Sequence, residues 1–244
     1  MTASVDQVGK DGPLAPQTPC APMLAVTAGD LFTVLRAAAA AVGERKDQQL
    51  FDLGLIRLDI TAGNVVAWAT NRMIVAKVVL DCSGAGLPGL TGADMSWAGY
   101  LDPADVAAAA KSLFFGRSKP SRAEDQDVIF VRFDVDELSF PGRVETVTIP
   151  LRRPIGHYPN LAKLVDGSTS EGAGREQLSI RSDVIAAVLD IARAAGDKLN
   201  PIHFTSTGTA PAAPVGFRID LRHRVSAEGI FMPARHTSTG RNQR

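Results

Sequence analysis

The stretch Ala227-Glu228-Gly229-Ile230-Phe231-Met232-Pro233-Ala234-Arg235 decides how this chain is interpreted. A short apolar run ends on Met-Pro-x-Arg, and a polar tail follows it. Because side chains alternate along a strand, Phe231 points to the opposite face from Ile230 and Met232. The pattern therefore predicts a last strand that is held in the core. The plainest alternative is that all three of these side chains are core residues.

The composition indicates an ordinary globular protein. The chain has 244 residues, of which 45% are hydrophobic and 21% charged, enough for one large or two ordinary domains. Its 26 Lys and Arg residues balance 26 Asp and Glu residues, so the protein is not coated in basic charge, although local basic patches remain possible. Cys20 and Cys82 make neither a disulfide framework nor a metal motif, which favours a reducing, cytoplasmic location.

Both ends of the chain have a composition typical of flexible segments. Residues 1–22 carry four prolines among small polar residues, which predicts a disordered leader, and residues 236–244 form a polar tail. The leader has no apolar segment of the kind found in a secretory signal. No apolar run in the sequence approaches the roughly 18 residues that a membrane helix needs.

A helix followed by hairpin strands occurs three times along the chain. Gly29-Asp30, Asp102-Pro103 and Ser182-Asp183 begin predicted helices over 31–42, 103–114 and 183–195. Alternation predicts the strands 23–26, 56–60, 65–68, 74–80, 128–135, 143–149, 202–205, 217–221 and 230–232. Hairpin turns join most of them, so the predicted fold class is α+β with antiparallel sheets. The order of a helix and then hairpin strands repeats along the chain, without a repeat of the sequence itself.

Several segments, taken in order, carry a resemblance. They are the helix at 30–38, the strand segment 51–58, Ala69-Thr70-Asn71-Arg72-Met73-Ile74-Val75-Ala76, the segments 154–165 and 178–184, and the final Met232-Pro233-Ala234-Arg235. Together they resemble the bacterial DNA polymerase III beta sliding clamp family. The family shows Ala-Thr-Asp-Gly-His-Arg-Leu-Ala where this chain has 69–76. Here one residue is missing, the His is absent and Asn71 replaces the acid.

The resemblance implies a particular division of the chain. Residues 23–165 correspond to the middle domain of the family, with two helix-plus-hairpin units, and 166–235 to a shortened C-terminal domain. The family's first domain has no counterpart here. A subunit with fewer domains needs more copies to close a ring, because only closure pairs every sheet edge. Whether this chain closes a ring is left open.

The resemblance also implies a function. A sliding clamp is a non-enzymatic processivity factor of DNA replication or repair. We therefore expect partners in duplex DNA, bound without sequence specificity, and in peptides of a DNA polymerase and a clamp loader. We further expect a homo-oligomer in the cytoplasm, associated with the nucleoid, that needs no cofactor and no metal. The alternative is a clamp-derived adaptor or competitor that keeps the peptide pocket but does not encircle DNA.

The family's peptide pocket maps onto ten positions. Such pockets bury apolar anchors in a largely preformed groove, and the flexible thioether of Met adapts to varied side chains. The corresponding residues are Thr70, Arg72, Met73, Pro159, Lys163, Leu164, Ile230, Met232, Pro233 and Arg235.

DNA contact requires cations on the surface that lines the duplex, because phosphates supply the sequence-independent attraction. The candidates on the three helices and in the connections are Arg36, Arg45, Lys46, Lys111, Arg117, Lys119, Arg122, Arg193 and Lys198. The alternative for each of them is ordinary solvated surface.

Other motifs do not lead to an enzyme. Gly84-Ala85-Gly86-Leu87-Pro88-Gly89 spells G-x-G-x-x-G, but Pro88 and the following glycines predict a loop where a dinucleotide site needs a helix. The four histidines are scattered, with His223 predicted at a surface hairpin tip. No nucleophile lies beside an evident base. An enzyme on an unrelated α+β fold is therefore the weakest of the three hypotheses.

Overall fold

The computed structural model describes residues 23–43, 53–61, 63–83, 96–117, 120–121, 124–142, 144–155, 157–166, 180–195, 200–206 and 213–233. The predicted leader, the polar tail and most of the glycine-rich connection after Ser83 lie outside these residues.

The first unit is a helix followed by three antiparallel strands. Strand β1 (Met23–Thr27) leads into α1 (Ala28–Ala39), and the Thr27 hydroxyl caps the helix by accepting a hydrogen bond from the Asp30 amide at 3.2 Å. The unit continues with β2 (Ile56–Thr61), β3 (Asn64–Thr70) and β4 (Ile74–Asp81). The predicted alternation in β2 is confirmed, since Ile56, Leu58 and Ile60 are all buried.

The second unit repeats this order. Strand β5 (Ser96–Leu101) leads into α2 (Pro103–Leu113), which the Asp102 carboxylate caps as the sequence predicts, 2.8 Å from the Ala104 amide. Strands β6 (Val128–Phe133), β7 (Glu137–Pro141) and β8 (Thr146–Pro150) follow. The sequence predicts a turn at 136–137 and one strand over 143–149, and the structure places the additional strand β7 between them, which the prediction lacks.

The third unit is preceded by a short helix that the sequence patterns did not predict. This helix is α3 (Leu161–Asp166). The unit itself consists of α4 (Ser182–Ala192), β9 (Ile202–Ser206), β10 (Val215–Arg222) and β11 (Val225–Phe231). His223 lies in the tight turn between β10 and β11, as predicted.

The strands form two antiparallel sheets. One has the order β1-β6-β7-β8, and the other has the order β5-β2-β3-β4-β11-β10-β9. The third unit joins the first where β11 pairs with β4, from Phe231 opposite Ile74 to Val225 opposite Leu80. Gly229 permits this close approach, because a Cβ there would collide with the Val75 carbonyl and the Phe217 ring. The predicted α+β class with antiparallel sheets is confirmed.

The main core lies between the helices and the sheets. Helix α1 packs on β3 and β4 and touches both α2 and α4. The Phe32 ring joins the layers by edge contacts with Phe114 at 5.2 Å and Phe140 at 5.8 Å. Helix α3 packs instead on the opposite, outer face of the seven-stranded sheet. None of the described helices is long and apolar enough to cross a membrane.

Candidate functional site

A second, smaller apolar cluster lies on the outer face of the seven-stranded sheet. Alternation places Trp68 of β3, Val75 of β4 and Ile230 of β11 on this face, where Leu161 and Val165 of α3 cover them. Phe231, the neighbour of Ile230, points into the main core instead. The predicted split between Ile230 and Phe231 is therefore confirmed, and both side chains are buried.

The segment before α3 is fixed to the sheet by Tyr158. Its hydroxyl donates a hydrogen bond to the Trp68 carbonyl at 3.0 Å, and its ring packs 5.1 Å from the ring of Tyr100. Burial raises the pKa of the Tyr158 phenol above its ordinary value. The Asn160 side chain then accepts from the Lys163 amide at 3.2 Å and starts the helix. These contacts hold α3 in a defined place.

The turn between β3 and β4 is held by its own side chains. The side-chain oxygen Oδ1 of Asn71 accepts from the amides of Met73 and Ile74, at 3.1 and 3.0 Å, and the Thr70 hydroxyl donates to the Ile74 carbonyl at 2.8 Å. Arg72 adopts a φ of 71°, in the left-handed region. The Asn71 side chain thus accepts the two hydrogen bonds that a carboxylate could accept at this position. The Thr70 hydroxyl adds a third hydrogen bond within the turn.

The last strand ends against this turn. The Met232 amide donates to the Met73 carbonyl at 3.0 Å, and Pro233 behind it is buried. The Met232 side chain is 40% exposed, and Leu164 on α3 is 48% exposed. The turn, α3 and the end of β11 therefore meet around one buried cluster and present apolar side chains to solvent beside it.

The structure places nine of the ten predicted pocket residues; Arg235 lies outside the described residues. Thr70, Ile230 and Pro233 are buried, Met73 and Pro159 are half-buried, and Arg72, Lys163, Leu164 and Met232 are exposed. Their three segments all reach the outer-face cluster, through Val75, Ile230 and Leu161. The prediction missed the residues that hold the site together, Trp68, Val75, Tyr158, Leu161 and Val165. The spacing of Leu161 and Val165, one helical turn apart, was the available signal.

A groove of about 250 Å³ adjoins the cluster on the β2 side. Its lining residues are Arg57, Asp59, Trp68, Tyr158, Pro159, Asn160, Leu161 and Ala162. The Arg57 Nε donates to the Asp59 carboxylate at 2.9 Å at its rim. Lys77, on the other side of Trp68, lies 5.5 Å from the centre of the indole ring and pairs with Glu228 at 2.6 Å. Two ion pairs, Arg57–Asp59 and Lys77–Glu228, thus border the apolar site.

The predicted DNA-facing cations are only partly described. Arg45, Lys46, Lys119, Arg122 and Lys198 lie outside the described residues. Arg36 donates to the carbonyls of Phe32 and Ala194, and so joins the ends of α1 and α4. Arg117 pairs with Glu124 at 2.6 Å, and Arg193 with Asp190 at 3.7 Å. Lys111 is exposed on α2, where Ala104, Ala107 and Ala108 are its exposed neighbours.

Among the residues that the structure describes, no group of three His, Cys, Asp or Glu side chains is placed to hold a metal ion.

The fold is similar to that of solved DNA sliding clamps. The Helicobacter pylori beta clamp has a TM-score of 0.60 at 12% identity, with 91% of this chain and 68% of that chain covered. The Pseudomonas aeruginosa DNA polymerase III subunit beta has a TM-score of 0.60 at 11% identity, with 94% and 70% covered. The A. fulgidus PCNA, solved with the C-terminal region of FEN-1 bound, has a TM-score of 0.54 at 14% identity, with 87% and 98% covered.

These likenesses confirm the predicted sliding-clamp fold. The chain spans 52% to 70% of the lengths of the bacterial clamp chains that it matches. No family model and no curated protein sequence matches the chain.

Proposed function

We propose that this protein is a sliding-clamp-like, non-enzymatic factor of DNA replication or repair. In this proposal it assembles as a homo-oligomer around duplex DNA and holds a polymerase, a clamp loader or another partner by a short apolar peptide. The peptide docks on the outer-face site formed by the β3–β4 turn, α3 and the end of β11.

The observation that carries the proposal is the convergence of these three segments on one buried cluster. Met232 and Leu164 expose apolar surface on the same segments that bury Ile230 and Leu161 in the cluster. A preformed apolar surface with an adaptable thioether suits a short peptide with two or three apolar anchors. The charged pairs Arg57–Asp59 and Lys77–Glu228 at its border favour orientation of the peptide over nonspecific adhesion.

The comparisons support the same proposal from another side. The A. fulgidus PCNA carries a terminal segment of another protein, FEN-1, on a chain with this fold. A clamp fold that accepts a partner's peptide is therefore known, and the present chain has an apolar surface suited to the same task. The sequence-independent attraction to DNA would come from the exposed Lys111 and from the Lys and Arg residues that the sequence places in the connections.

The test measures how much of the protein stays bound to circular DNA and to linear DNA. The protein is loaded with the host's clamp loader and ATP onto a nicked circular plasmid or onto the same plasmid after linearisation. Both samples are then washed with 0.5 M salt, at which the Debye length is about 4 Å and exposed charges attract DNA only weakly. A ring that encircles DNA stays on the circle and slides off the linear ends. Equal loss from both plasmids contradicts encirclement, and peptide binding that persists in that case would leave the adaptor alternative.

A further inference from the structure

An arginine and an aspartate two residues apart occur twice on the outer face of the seven-stranded sheet. Arg57-Leu58-Asp59 lies on β2, and Arg218-Ile219-Asp220 lies on β10. The middle residue of each triplet is buried in the main core, so alternation places both charged side chains on the opposite, outer face. The two pairs therefore have the same chemistry, and their surroundings can be compared directly.

The pair on β10 is largely solvated, whereas the pair on β2 lines a groove. The Arg218 and Asp220 side chains are 68% and 66% exposed, and the ion pair measures 3.4 Å. The Arg57 and Asp59 side chains are 39% and 25% exposed, and their ion pair measures 2.9 Å. They line the groove of about 250 Å³ on the β2 side of the apolar cluster, which we call the β2-side groove. A ligand in this groove would meet charges that are partly shielded from water.

Arg57 lies between two aromatic residues of the sheet. It is directly opposite Trp68 on β3 and Tyr100 on β5, and directly opposite residues share a face. Asp59 is opposite Val66 instead, one row farther from Val75 in the apolar cluster. The cation of this pair is therefore the member that lies closer to the apolar site.

The polar groups that the β2-side groove offers are mainly hydrogen-bond donors. Within the described part of the chain, the Arg57 side chain is bonded to Asp59 through Nε, which leaves its two terminal nitrogens for a ligand. The Asn160 side-chain oxygen accepts from the Lys163 amide, so the amino group of Asn160 is what remains. An anionic ligand with two acceptor oxygens complements such donors, and a carboxylate is a ligand of this kind.

We propose that the β2-side groove binds an acidic side chain of the partner peptide, with Arg57 as the residue that determines this specificity. The inference rests on the proposed function, since the apolar anchors of the same peptide dock beside Met232 and Leu164. A carboxylate forms two parallel hydrogen bonds with the planar guanidinium of an arginine. Asp59 holds Arg57 in place in the absence of a peptide, and it opposes the incoming carboxylate by like-charge repulsion.

Helix α3 sets the spacing between the acid and the apolar anchors. Leu161 lines the groove, and Leu164 is exposed three residues later. Three residues of a helix advance about 4.5 Å, and an extended peptide advances about 3.3 Å per residue. We therefore expect the acidic residue about two residues away from the apolar anchors.

Fluorescence anisotropy with four ten-residue peptides tests the proposal. All four carry three Leu anchors on a Ser background. Three of them have an amidated C-terminus and carry Glu, Gln or Lys two residues outside the anchors at both ends. The fourth is the Gln peptide with a free terminal carboxylate. The wild-type protein should bind the Glu peptide about fivefold more tightly than the Gln peptide, as expected for a partly exposed ion pair, and the Lys peptide most weakly.

Substitutions in the two Arg-x-Asp pairs assign the preference to the groove. Arg57→Gln should abolish the preference for Glu and leave the affinity for the Gln peptide unchanged. Asp59→Asn should increase the preference, because the competing carboxylate is gone. Arg218→Gln and Asp220→Asn are the matched controls on β10 and should leave the preference as it is. Asp59→Asn keeps the test valid if circular dichroism shows that Arg57→Gln disturbs folding.

The outcomes separate this inference from the proposed function. Equal affinities for the Glu and Gln peptides overturn the inference and leave the docking of apolar anchors in place. The inference is also overturned by a preference that Arg57→Gln retains, or by tighter binding of the Lys peptide. A gain from the free C-terminus of the Gln peptide assigns the groove to a chain end and contradicts the side-chain proposal. If none of the four peptides binds, the proposed docking function fails together with the inference.

Discussion

The amide of Met232 donates a hydrogen bond to the carbonyl of Met73 at 3.0 Å, and this contact fixes the end of the last strand beside the β3–β4 turn. Both residues carry thioethers, and the Met232 side chain stays 40% exposed. A backbone bond thus sets the position of a side chain that remains available for binding. Removal of the Met232 side chain should therefore leave the backbone of the site in place.

Met232→Ala should weaken binding of an apolar peptide while leaving the fold intact. Truncation of a central apolar contact in an interface costs about 1–2 kcal/mol, or about a tenfold higher dissociation constant. The free energy of unfolding should change by less than about 1 kcal/mol, because the side chain is partly solvated. Fluorescence anisotropy and urea denaturation measure the two quantities. Met23→Ala, at a methionine of similar exposure on β1, is the matched control and should alter neither.

The two leucines of α3 should behave in opposite ways. Leu161 is buried in the outer-face cluster, so Leu161→Ala should lower the free energy of unfolding by about 2–3 kcal/mol. Leu164 is 48% exposed, so Leu164→Ala should have little effect on stability but weaken the peptide. The same denaturation and anisotropy measurements apply. Equal effects of both variants on stability would show that α3 does not pack as described.

Asn71 should be replaceable by an acid but not by alanine. Its side-chain oxygen accepts from the amides of Met73 and Ile74, and a carboxylate can accept both bonds as well. Asn71→Ala leaves two amides of the turn without that partner and should cost about 1–2 kcal/mol of stability. Asn71→Asp should stay within about 0.5 kcal/mol of the wild type. Thermal denaturation of the three proteins decides the matter, and a tolerated alanine would refute the role given to this side chain.

Arg36 and Lys111 should differ in what they contribute. Arg36 is bound to the carbonyls of Phe32 and Ala194, so Arg36→Ala should reduce stability by about 1–3 kcal/mol. Lys111 is exposed on α2, so Lys111→Ala should leave stability unchanged. It should reduce the slope of log affinity for duplex DNA against log salt concentration by about one phosphate contact. A salt titration of DNA binding in which Lys111→Ala keeps the wild-type slope removes α2 from the DNA surface.

The sequence predicts the local features of the fold well and the pairings between distant segments poorly. The alternation of Ile56, Leu58 and Ile60 and the cap at Asp102 depend on neighbours within a few residues, and both are confirmed. Strand β5 was not predicted, because Gly99 interrupts its pattern. The structure explains that glycine, since a Cβ there would collide with the Trp97 ring. Residue propensities carry no information about packing between particular side chains of this kind.

The candidate site shows the same limit. Met232 and Met73 could be proposed because the resemblance marked their segments. Trp68 and Tyr158 could not, because their roles arise from a hydrogen bond between segments far apart in the chain. Arg36 was expected at a DNA surface on charge alone, and only the structure shows its guanidinium bound at the end of α4. Contacts made by tertiary packing decide which charged and aromatic residues remain available.

The most direct test of the peptide site uses the methionines themselves. The chain has five Met residues, so a sample labelled with ¹³C at the methyl groups gives a simple NMR spectrum. It is titrated with a ten-residue peptide that carries three apolar side chains, and with the same peptide after their replacement by Ser. We predict that the first peptide shifts the methyl signal of Met232 and leaves that of Met23 in place, and that the Ser peptide shifts none. A peptide that binds tightly while the signal of Met232 stays unmoved would contradict the assignment of this surface as the docking site.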